Sequence, residues 1–326
     1  ALYELIYLYS QGYLMKTKRR HLLFQQSFLS PLQTARGIWK ERTSLVLRQD
    51  CEGKTSFGEV APLPGHSDLN FNEAVQEAKL WSESEGDSQN FPQLRPAISC
   101  MNSKIWDEQP EHLELPPTAR LWGMSKPASN AVVKRKIGLL RTEQEIPIIK
   151  EWLKMLPVDT QVRLDPNESF SRDDLLRWSD ALCEYSSIQF IEQPTGPKDD
   201  EWLIEHSLNA PVPIALDEAI LRMPSSKDIR AIPHHLFLVI KPTLFSDWNT
   251  LICLGSEPER KLIFSTSFES PFGYEALVRL SKLSCQSPGL DRSCFYGNEH
   301  EFSEHHQPIL SSPSVSSERL VSLWDV

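Results

Sequence analysis

Between residues 131 and 267 the sequence repeats one pattern: a short apolar run ends on a polar residue, and a helix-like segment leads to the next run. Six such polar residues follow one another at intervals of 24 to 29 residues: Lys136, Asp165, Glu192, Asp217, Lys241 and Ser267. Each interval has the length of one strand, one helix and two loops. Repeated strand–helix alternation is typical of a parallel sheet. We therefore expect each of these residues to lie at the carboxyl end of its own strand.

Eight apolar runs occur from about residue 119 onward: ARLWGM, AVVKRKI, QVRLD, SIQFIEQP, VPIALDE, LFLVIKPT, KLIFSTS and CQSPGLD. The segments between them include EQEIPIIKEWLKML, SRDDLLRWSDALCEY and FGYEALVRLSKL, which have helical periodicity, and Ser171 is a good N-cap for the second. Eight parallel strands that alternate with helices close into a barrel. The sequence thus predicts an α/β fold of the (β/α)8-barrel type.

The chain outside this repeat does not show the regular alternation of strands and helices. Residues 20 to 64 combine β-forming runs with turn residues, and residues 72–85 and 96–108 have helical patterns. The first 14 residues are apolar but too few to span a bilayer, and their basic cluster follows the apolar run, unlike that of a signal peptide. We interpret them as a first strand.

These differences predict three parts of the chain. We expect an α+β capping domain over residues 1–112, a catalytic barrel over 113–298 and a tail over 299–326. The tail either returns to pack on the capping domain or forms a flexible loop at SSPSVSS.

The composition excludes several classes of function. The net charge of -10 argues against non-specific binding to nucleic acid, which needs a basic surface, but it allows a local cationic pocket for a small anion. The six cysteines are scattered without a CxxC pair, so we expect reduced thiols rather than a disulfide framework or a zinc knuckle. We expect a cytoplasmic protein that has no membrane partner and is either a monomer or a homo-oligomer.

Three carboxylates are expected to meet at one face of the barrel. The carboxyl ends of barrel strands form the face on which active sites are built. A single acidic residue there is more often a helix N-cap, but Asp165, Glu192 and Asp217 end consecutive strands and have lysines on both sides. Three carboxylate ligands suit a hard cation such as Mg²⁺, and the lack of His or Cys at these positions disfavours zinc.

The run AVVKRKI places three cations on one strand. Lys134 and Lys136 are two residues apart, so both point to the barrel interior, whereas Arg135 points outward to a carboxylate or to the solvent rim. Lys241 follows the apolar run LFLVI and precedes Pro242, which favours a buried, positioned lysine.

Together these residues resemble the enolase superfamily, in its muconate-lactonizing-enzyme-like subgroup. That subgroup has a KxK motif on the second barrel strand, Asp, Glu and Asp metal ligands on the next three, and Lys on the sixth. The resemblance runs from about residue 29 to 291. Within the subgroup the chain looks most like the o-succinylbenzoate synthases, by the stretches SPLQTARGIWKERTSLVL, FGEVAPLPGHSDLN, KRKIG, STSFES and PGLD.

The resemblance implies the dehydration of 2-succinyl-6-hydroxy-2,4-cyclohexadiene-1-carboxylate to o-succinylbenzoate in menaquinone and phylloquinone biosynthesis. It implies that Lys136 removes the proton next to the carboxylate and that Lys241 stabilises the enediolate, while Lys134 supports the base. It also implies that the enediolate is stabilised by Mg²⁺, with Mn²⁺ as the alternative. The implied metal ligands are Asp165, Glu192 and Asp217.

The resemblance further implies supporting roles for Asn167 and Glu218. The substrate contacts that it implies are Ser265, Ser267, Gly289, Leu290, Arg36 and Pro64. Two loops of the capping domain, residues 34 to 39 and 62 to 68, are the expected covers of the barrel mouth.

Three alternatives stay open at this point. One is a sister activity of the same subgroup, namely an N-acylamino-acid racemase, a dipeptide epimerase or a muconate cycloisomerase, because two lysines on opposite faces also suit a two-base racemisation. Another is a metal-free Schiff-base aldolase that uses Lys136 or Lys241, which leaves the three acids unexplained. The last is a barrel that binds a ligand without catalysis.

Overall fold

The computed structural model describes residues 17–34, 37–63, 70–84, 90–107, 114–122, 127, 130–223, 226–292 and 317–325. The first described element is an antiparallel sheet of three strands, β1 (Lys18–Thr34), β2 (Gly37–Cys51) and β3 (Lys54–Val60), with β2 in the middle. It confirms the strands expected between residues 20 and 64. The strand expected within the first 14 residues lies outside the described residues.

Two helices pack on this sheet: α1 (Phe71–Glu83) and α2 (Arg95–Met101). The Asn70 side chain caps α1 by accepting from two backbone N–H groups of its first turn. The helix expected over residues 96–108 is shorter than predicted. At Ser103 the backbone becomes extended and the hydroxyl accepts from Ile105 N, which starts a separate 3-10 turn at Lys104–Trp106.

The second sheet is parallel and contains seven strands in the order of the sequence. They are β4 (Arg120–Leu121), β5 (Val132–Lys136), β6 (Gln161–Asp165), β7 (Ile188–Glu192), β8 (Ile214–Leu216), β9 (Phe237–Ile240) and β10 (Leu262–Phe264). Every neighbouring pair is parallel, as the strand–helix alternation predicts.

The segment 288–290 joins the two edges of this sheet. Gly289 N donates to Phe264 O over 2.8 Å, and Ala119 N donates to Pro288 O over 2.8 Å. The eighth strand expected from the run CQSPGLD is thus reduced to one bridge between Ser265 and Gly289. A Cβ atom on Gly289 would lie 2.8 Å from the Ser265 hydroxyl oxygen, so a larger residue here would displace the Ser265 side chain.

Helices cover the outside of the parallel sheet, and none of the described helices has both the length and the apolar character needed to cross a bilayer. They are α3 (Thr142–Lys154), α4 (Arg172–Leu182), α5 (Asp200–His206), α6 (Glu218–Leu221), α7 (Ser226–Ala231), α8 (Trp248–Gly255) and α9 (Pro271–Ser281). Ser171 caps α4 in a full capping box with Asp174, as predicted. A last helix, α10 (Ser317–Trp324), lies in the tail.

Strand β2 has apolar residues buried on both faces. Leu45 and Leu47 belong to the small core between the antiparallel sheet and helices α1 and α2. Val46, between them in sequence, points the other way and joins the large core of the barrel, as does Phe57 of β3. The antiparallel sheet is therefore packed between its own helices and the barrel.

A buried carboxylate links the two sheets. Glu59 of β3 is only 2% exposed and accepts hydrogen bonds from Ser270 N at 2.9 Å and Gly273 N at 3.1 Å, at the start of α9. A helix N-terminus favours negative charge, although burial raises the pKa of this carboxyl. A Cβ atom on Gly273 would lie 2.4 Å from the carboxylate, so only glycine permits the contact.

The described part of the tail packs where the two sheets meet. The Trp324 ring of α10 lies 6.0 Å from the ring of Phe57 in β3 and 5.8 Å from the ring of Phe272 in α9. The Arg48 guanidinium of β2 lies 5.8 Å from the same indole. The end of the chain thus contacts both the antiparallel sheet and a barrel helix.

We predict that Glu59→Ala lowers the free energy of unfolding by about 3 kcal/mol, because it leaves buried N–H donors of α9 without an acceptor. The measurement is urea denaturation followed by circular dichroism. Glu41→Ala, which removes an exposed carboxylate of β2, is the control and should change the same free energy by less than about 0.5 kcal/mol. Equal effects of the two substitutions would contradict this account of the junction.

Candidate active site

A cavity of about 570 Å³ opens at the carboxyl ends of the barrel strands. Its floor is charged and is formed by Lys134, Lys136, Arg163, Asp165, Glu192, Asp217 and Lys241. Its outer wall is apolar and includes Leu32, Trp39, Leu63, Leu121 and Phe268. A charged floor under an apolar wall suits a small anionic ligand with an apolar body.

The strands bring the three predicted carboxylates together on this floor. Asp165 ends β6 and Glu192 ends β7, while Asp217 directly follows β8. Their exposed fractions are 5%, 2% and 4%. The acids converge because the three strands are parallel neighbours whose carboxyl ends lie at one edge of the sheet. Each acid is either the last residue of its strand or the residue directly after it.

Two lysine ammonium groups lie among these carboxylates. Lys134 Nζ is 2.8 Å from Asp165 Oδ2 and 2.7 Å from Glu192 Oε1. Lys241 Nζ donates to both oxygens of Asp217. As the side chains stand, no group of three His, Cys, Asp or Glu among the described residues has the geometry to hold an ion. The ammonium groups of Lys134 and Lys241 lie against these carboxylates.

Burial and mutual repulsion shift the pKa values of two acids in this cluster. Burial and the neighbouring carboxylates Asp165 and Asp217 raise the pKa of Glu192 to about 7, against the opposing effect of Lys134. Burial and the charge of Asp217 raise the pKa of Glu218 to about 8, and its Oε2 atom has no hydrogen-bond partner among the described residues. Three converging carboxylates supply the kind of oxygen donor that a hard divalent cation prefers.

The two lysines of the cluster are held in the charged form in this arrangement. Burial lowers the pKa of Lys134, but the carboxylates of Asp165 and Glu192 outweigh it and the pKa is raised. The pKa of Lys241 is raised in the same way, mainly by Asp217. Both side chains therefore act here as counter-charges to the acids.

Lys136 differs from both of these lysines. It lines the same cavity, and its side chain is exposed to it. No described residue forms a hydrogen bond or an ion pair with its ammonium group. Its register partner on β6 is Asp165, so it lies beside the carboxylate cluster. The strand pattern of the KRK run correctly predicts that Lys134 and Lys136 share the inner face.

Arg135 lies on the outer face, as the alternation predicts. Its guanidinium carbon lies 4.5 Å from the centre of the Trp152 ring on α3. A cation over an aromatic face stabilises such a contact. The third cation of the run thus helps to hold α3 on the sheet and does not reach the cavity.

Four other residues expected at the site line the cavity: Asn167, Ser265, Ser267 and Gly289. Asn167 donates its backbone N–H to Asp165 Oδ1 over 2.9 Å. The Ser267 hydroxyl is bonded to Glu269 and Thr243, each at 2.8 Å.

Leu290 does not line the cavity, although its neighbours Gly289 and Asp291 do. It is 3% exposed and belongs to the main core. Arg36 and Pro64 lie outside the described residues. In the described parts of the two expected cover loops, Trp39 and Leu63 line the cavity.

Comparisons with known proteins find one family and several relatives that this chain resembles. Residues 127–231 match the enolase C-terminal domain-like family. The o-succinylbenzoate synthase of Thermosynechococcus vestitus is 29% identical over 79% of this chain and 86% of its own length. That of Haemophilus influenzae is 27% identical over 77% of this chain and 82% of its own length.

Solved structures show the same fold. The o-succinylbenzoate synthase from Thermosynechococcus elongatus BP-1, complexed with Mg in the active site, superposes with a TM-score of 0.71 at 24% identity over 94% of this chain and 99% of that one. The dipeptide epimerase from Methylococcus capsulatus, complexed with Mg and a dipeptide, superposes with a TM-score of 0.68 at 19% identity. The superposition covers 87% of this chain and 93% of that one.

The chain resembles the enolase superfamily over most of its length. The barrel-type α/β fold and the α+β cap expected from the sequence agree with the fold of these solved structures. The resemblance includes both synthases and epimerases, so it does not by itself choose between these activities.

Arg163 is a floor residue of this barrel that the sequence reasoning missed. It is buried, donates to Gln189 Oε1 and Ser287 O, each at 2.7 Å, and burial lowers its pKa to about 10. The signal was present in the run QVRLD, because Arg163 precedes Asp165 by two residues and so faces the same side. The rule that places Lys134 under Lys136 also places Arg163 under Asp165.

Phe268 is a second missed residue, on the wall. Its φ of +64° lies in the left-handed region, and its ring meets those of Phe28 and Trp39 edge-on at 5.6 and 6.4 Å. Both partners come from the first hairpin of the cap. No pattern in the run STSFES indicates that this phenylalanine contacts another domain, because the contact depends on tertiary packing.

We predict that Lys134→Met lowers the free energy of unfolding of the metal-free protein by about 3 kcal/mol, because it removes the counter-charge of two buried carboxylates. Added Mg²⁺ should restore part of the loss. Urea denaturation in EDTA and in Mg²⁺ measures both effects. Lys198→Met, at an exposed lysine of the loop after β7, is the matched control. A loss below about 1 kcal/mol for Lys134→Met would contradict the account.

Proposed function

We propose that this protein is an o-succinylbenzoate synthase of the enolase superfamily, a carbon–oxygen lyase that dehydrates 2-succinyl-6-hydroxy-2,4-cyclohexadiene-1-carboxylate. The observation that carries the proposal is the position of Lys136, a lysine without a described partner that faces the same cavity as three buried carboxylates. The curated relatives that align with more than three quarters of this chain have this activity in their names.

The proposed metal ligands are Asp165, Glu192 and Asp217, whose burial and convergence on one cavity floor support the assignment. Mg²⁺ is the proposed cation, with Mn²⁺ as the alternative, because the donors are all carboxylate oxygens. When bound there, such a cation supplies positive charge to a substrate carboxylate on which negative charge builds up. Binding of the cation requires that Lys134 moves from its contacts with Asp165 and Glu192.

Lys136 is the proposed base and acid. Its neutral amine takes the proton from the ring carbon that carries the carboxylate, and the electron pair of that C–H bond enters an enediolate. As the ring becomes aromatic, the bond from carbon to the neighbouring hydroxyl breaks, and the Lys136 ammonium returns the proton to the leaving oxygen. One water molecule is released, and the lysine is neutral again.

Lys241 is the proposed charge stabiliser on the other side of the substrate. It follows β9, which is four strands along from β5 in the ring that segment 288–290 completes, so it lies across the barrel from Lys136. Its pKa is raised by Asp217, which favours a role as a fixed cation. The proposed supporting residues are Asn167 and Glu218, next to the ligands in sequence.

The capping domain, residues 1–112, is proposed to close the barrel of residues 113–298, with the tail of residues 299–326 returning to the capping domain. Leu32, Trp39 and Leu63 of the cap form part of the cavity wall, which supports this role. Apolar cover over a charged floor strengthens the electrostatic interactions within. The proposed polar contacts of the substrate are Ser265 and Gly289, with Ser267, Arg36 and Pro64 as further positions of the expected set, whereas Leu290 lies in the core and is not proposed.

A second candidate is an epimerase or racemase of the same superfamily. The observation that favours it is the pair Lys136 and Lys241 on opposite sides of one cavity, because one lysine can remove a proton and the other can return it to the opposite face. Solved dipeptide epimerases also share the fold. The dehydration is preferred because the relatives aligned by sequence are synthases.

We predict that the protein with Mg²⁺ converts the cyclohexadiene substrate to o-succinylbenzoate, measured by the change in ultraviolet absorbance as the ring becomes aromatic. Lys136→Ala should lower kcat at least about 100-fold, because loss of a general base costs a factor of about 100 to 10,000. The affinity for Mg²⁺ in calorimetry should change less than threefold, since Lys136 does not contact the three carboxylates.

Lys154→Ala, at an exposed lysine of α3, is the control and should retain full turnover. Near-normal turnover by Lys136→Ala would show that another group is the base. The unaltered protein could instead fail to dehydrate the substrate and racemise N-acylamino acids or epimerise dipeptides. That result would support the second candidate and contradict the first.

A further inference from the structure

A chain of polar side chains ties together the loops that follow the three proposed metal ligands. The first member is Gln193, which comes directly after Glu192 and is fully buried. Its Oε1 atom accepts from Asp217 N and Ala219 N, each at 3.0 Å. The amide of Gln193 thus joins the end of β7 to the residue that follows β8.

The other end of the same amide extends the chain. Gln193 Nε2 donates to Thr195 O at 3.2 Å and to Asp200 Oδ1 at 3.3 Å. Both donors and both lone pairs of the amide are therefore used, which is the maximum for this side chain. A fully bonded buried amide has one orientation and fixes the groups that it contacts.

Arg222, just after α6, completes the chain. Its Nε and Nη2 atoms pair with the two oxygens of Asp200 at 2.7 and 2.8 Å, and its Nη1 donates to Glu168 Oε1 at 2.7 Å. Asp200 belongs to the segment after β7, and Glu168 to the loop after β6. One guanidinium therefore holds the segments that follow β6, β7 and β8.

The backbone at these loops is strained where the chain of contacts is attached. Asn167, Glu168 and Gln193 have φ angles of +46°, +60° and +35°, which non-glycine residues rarely adopt. Such conformations persist only when their surroundings hold them. Asn167 N donates to Asp165 Oδ1, and Glu168 N donates to Gln193 O over 2.9 Å, so a strained loop touches a proposed metal ligand directly.

We propose that Arg222 is a positioning residue that sets the spacing of the Asp165, Glu192 and Asp217 carboxylates through Glu168, Asp200 and Gln193. The inference rests on the proposed function, because it assumes that these three carboxylates hold the cation. Arg222 itself does not line the cavity and is outside the reach of the substrate. Its side chain is 31% exposed, so its ion pairs add little to global stability. Its effect is on the geometry of the site.

The test compares Arg222→Gln, Arg222→Lys and the unaltered protein by calorimetric titration with Mg²⁺. Arg222→Gln should raise the dissociation constant at least tenfold, the usual scale for loss of a group that orients metal ligands. Arg222→Lys should recover only part of the affinity, because an ammonium cannot pair with both Asp200 oxygens in a fork. The melting temperature should fall by less than about 3 °C in each variant.

Arg177→Gln is the matched control, because it breaks a surface pair with Glu143 between α3 and α4 and leaves the site alone. It should leave the dissociation constant within twofold. An unchanged dissociation constant in Arg222→Gln would contradict the proposal that the Arg222 guanidinium positions the metal ligands. Full recovery of the Mg²⁺ affinity by Arg222→Lys would also contradict it.

A second measurement separates this inference from the proposed function. Hydrogen–deuterium exchange of the metal-free protein should be at least fivefold faster in Arg222→Gln for the amides of residues 166–170 and 217–222, and unchanged in Arg177→Gln. If the unaltered protein binds no Mg²⁺, the metal assignment fails, and this exchange experiment alone decides whether Arg222 holds the loops. Equal exchange in both variants would contradict the positioning role.

Discussion

The floor of the barrel depends on the balance of charge around three buried carboxylates. Each of Asp165, Glu192 and Asp217 is nearly removed from water, and a buried carboxylate costs several kcal/mol unless a counter-charge is close. Lys134 supplies that charge to the first two and Lys241 to the third. Burial and the neighbouring carboxylates raise the pKa of Glu192 to about 7, against the opposing effect of Lys134. A divalent cation bound at this floor would supply further positive charge to the three carboxylates.

The rest of the molecule keeps this cluster in place and covers it. The strand order places the acids on neighbouring strands, and the polar contacts of Gln193 and Arg222 join the loops behind them. Glu59 of the cap accepts a hydrogen bond from Ser270 N at the start of α9. This helix directly follows the serine-rich loop that lines the cavity. The cap and the barrel thus meet at a hydrogen-bonded carboxylate close to the site, so the packing of the cap and the shape of the wall are coupled.

Much of this arrangement could be predicted from the sequence, because it follows from periodicity. The spacing of apolar runs indicates the barrel, and alternation along β5 places Lys134 and Lys136 inside and Arg135 outside. The contacts that depend on distant packing could not be predicted. Phe268 meets rings of the cap, Gln193 reaches the loop after β8, and Lys134 pairs with the acids while Lys136 does not. In each case the partner is more than 20 residues away, and no local pattern encodes it.

The eighth strand and the second cap helix show how local energetics change a correct pattern. The run CQSPGLD does not form a full strand. It makes one β-bridge, between Gly289 and Ser265, where the two backbones lie close together. The helix expected to reach residue 108 ends at Met101, because the Ser103 hydroxyl competes for backbone hydrogen bonds. Periodicity therefore predicts which elements exist, and side-chain hydrogen bonding decides where they end.

The most direct test of the central claim is the position of a cation in a crystal soaked with Mn²⁺, measured by anomalous scattering. The account predicts one strong peak within about 2.3 Å of an oxygen from each of Asp165, Glu192 and Asp217. It also predicts that Lys134 Nζ has moved away from both Asp165 and Glu192. A peak elsewhere in the cavity, or no peak while Lys134 keeps its two ion pairs, would contradict it.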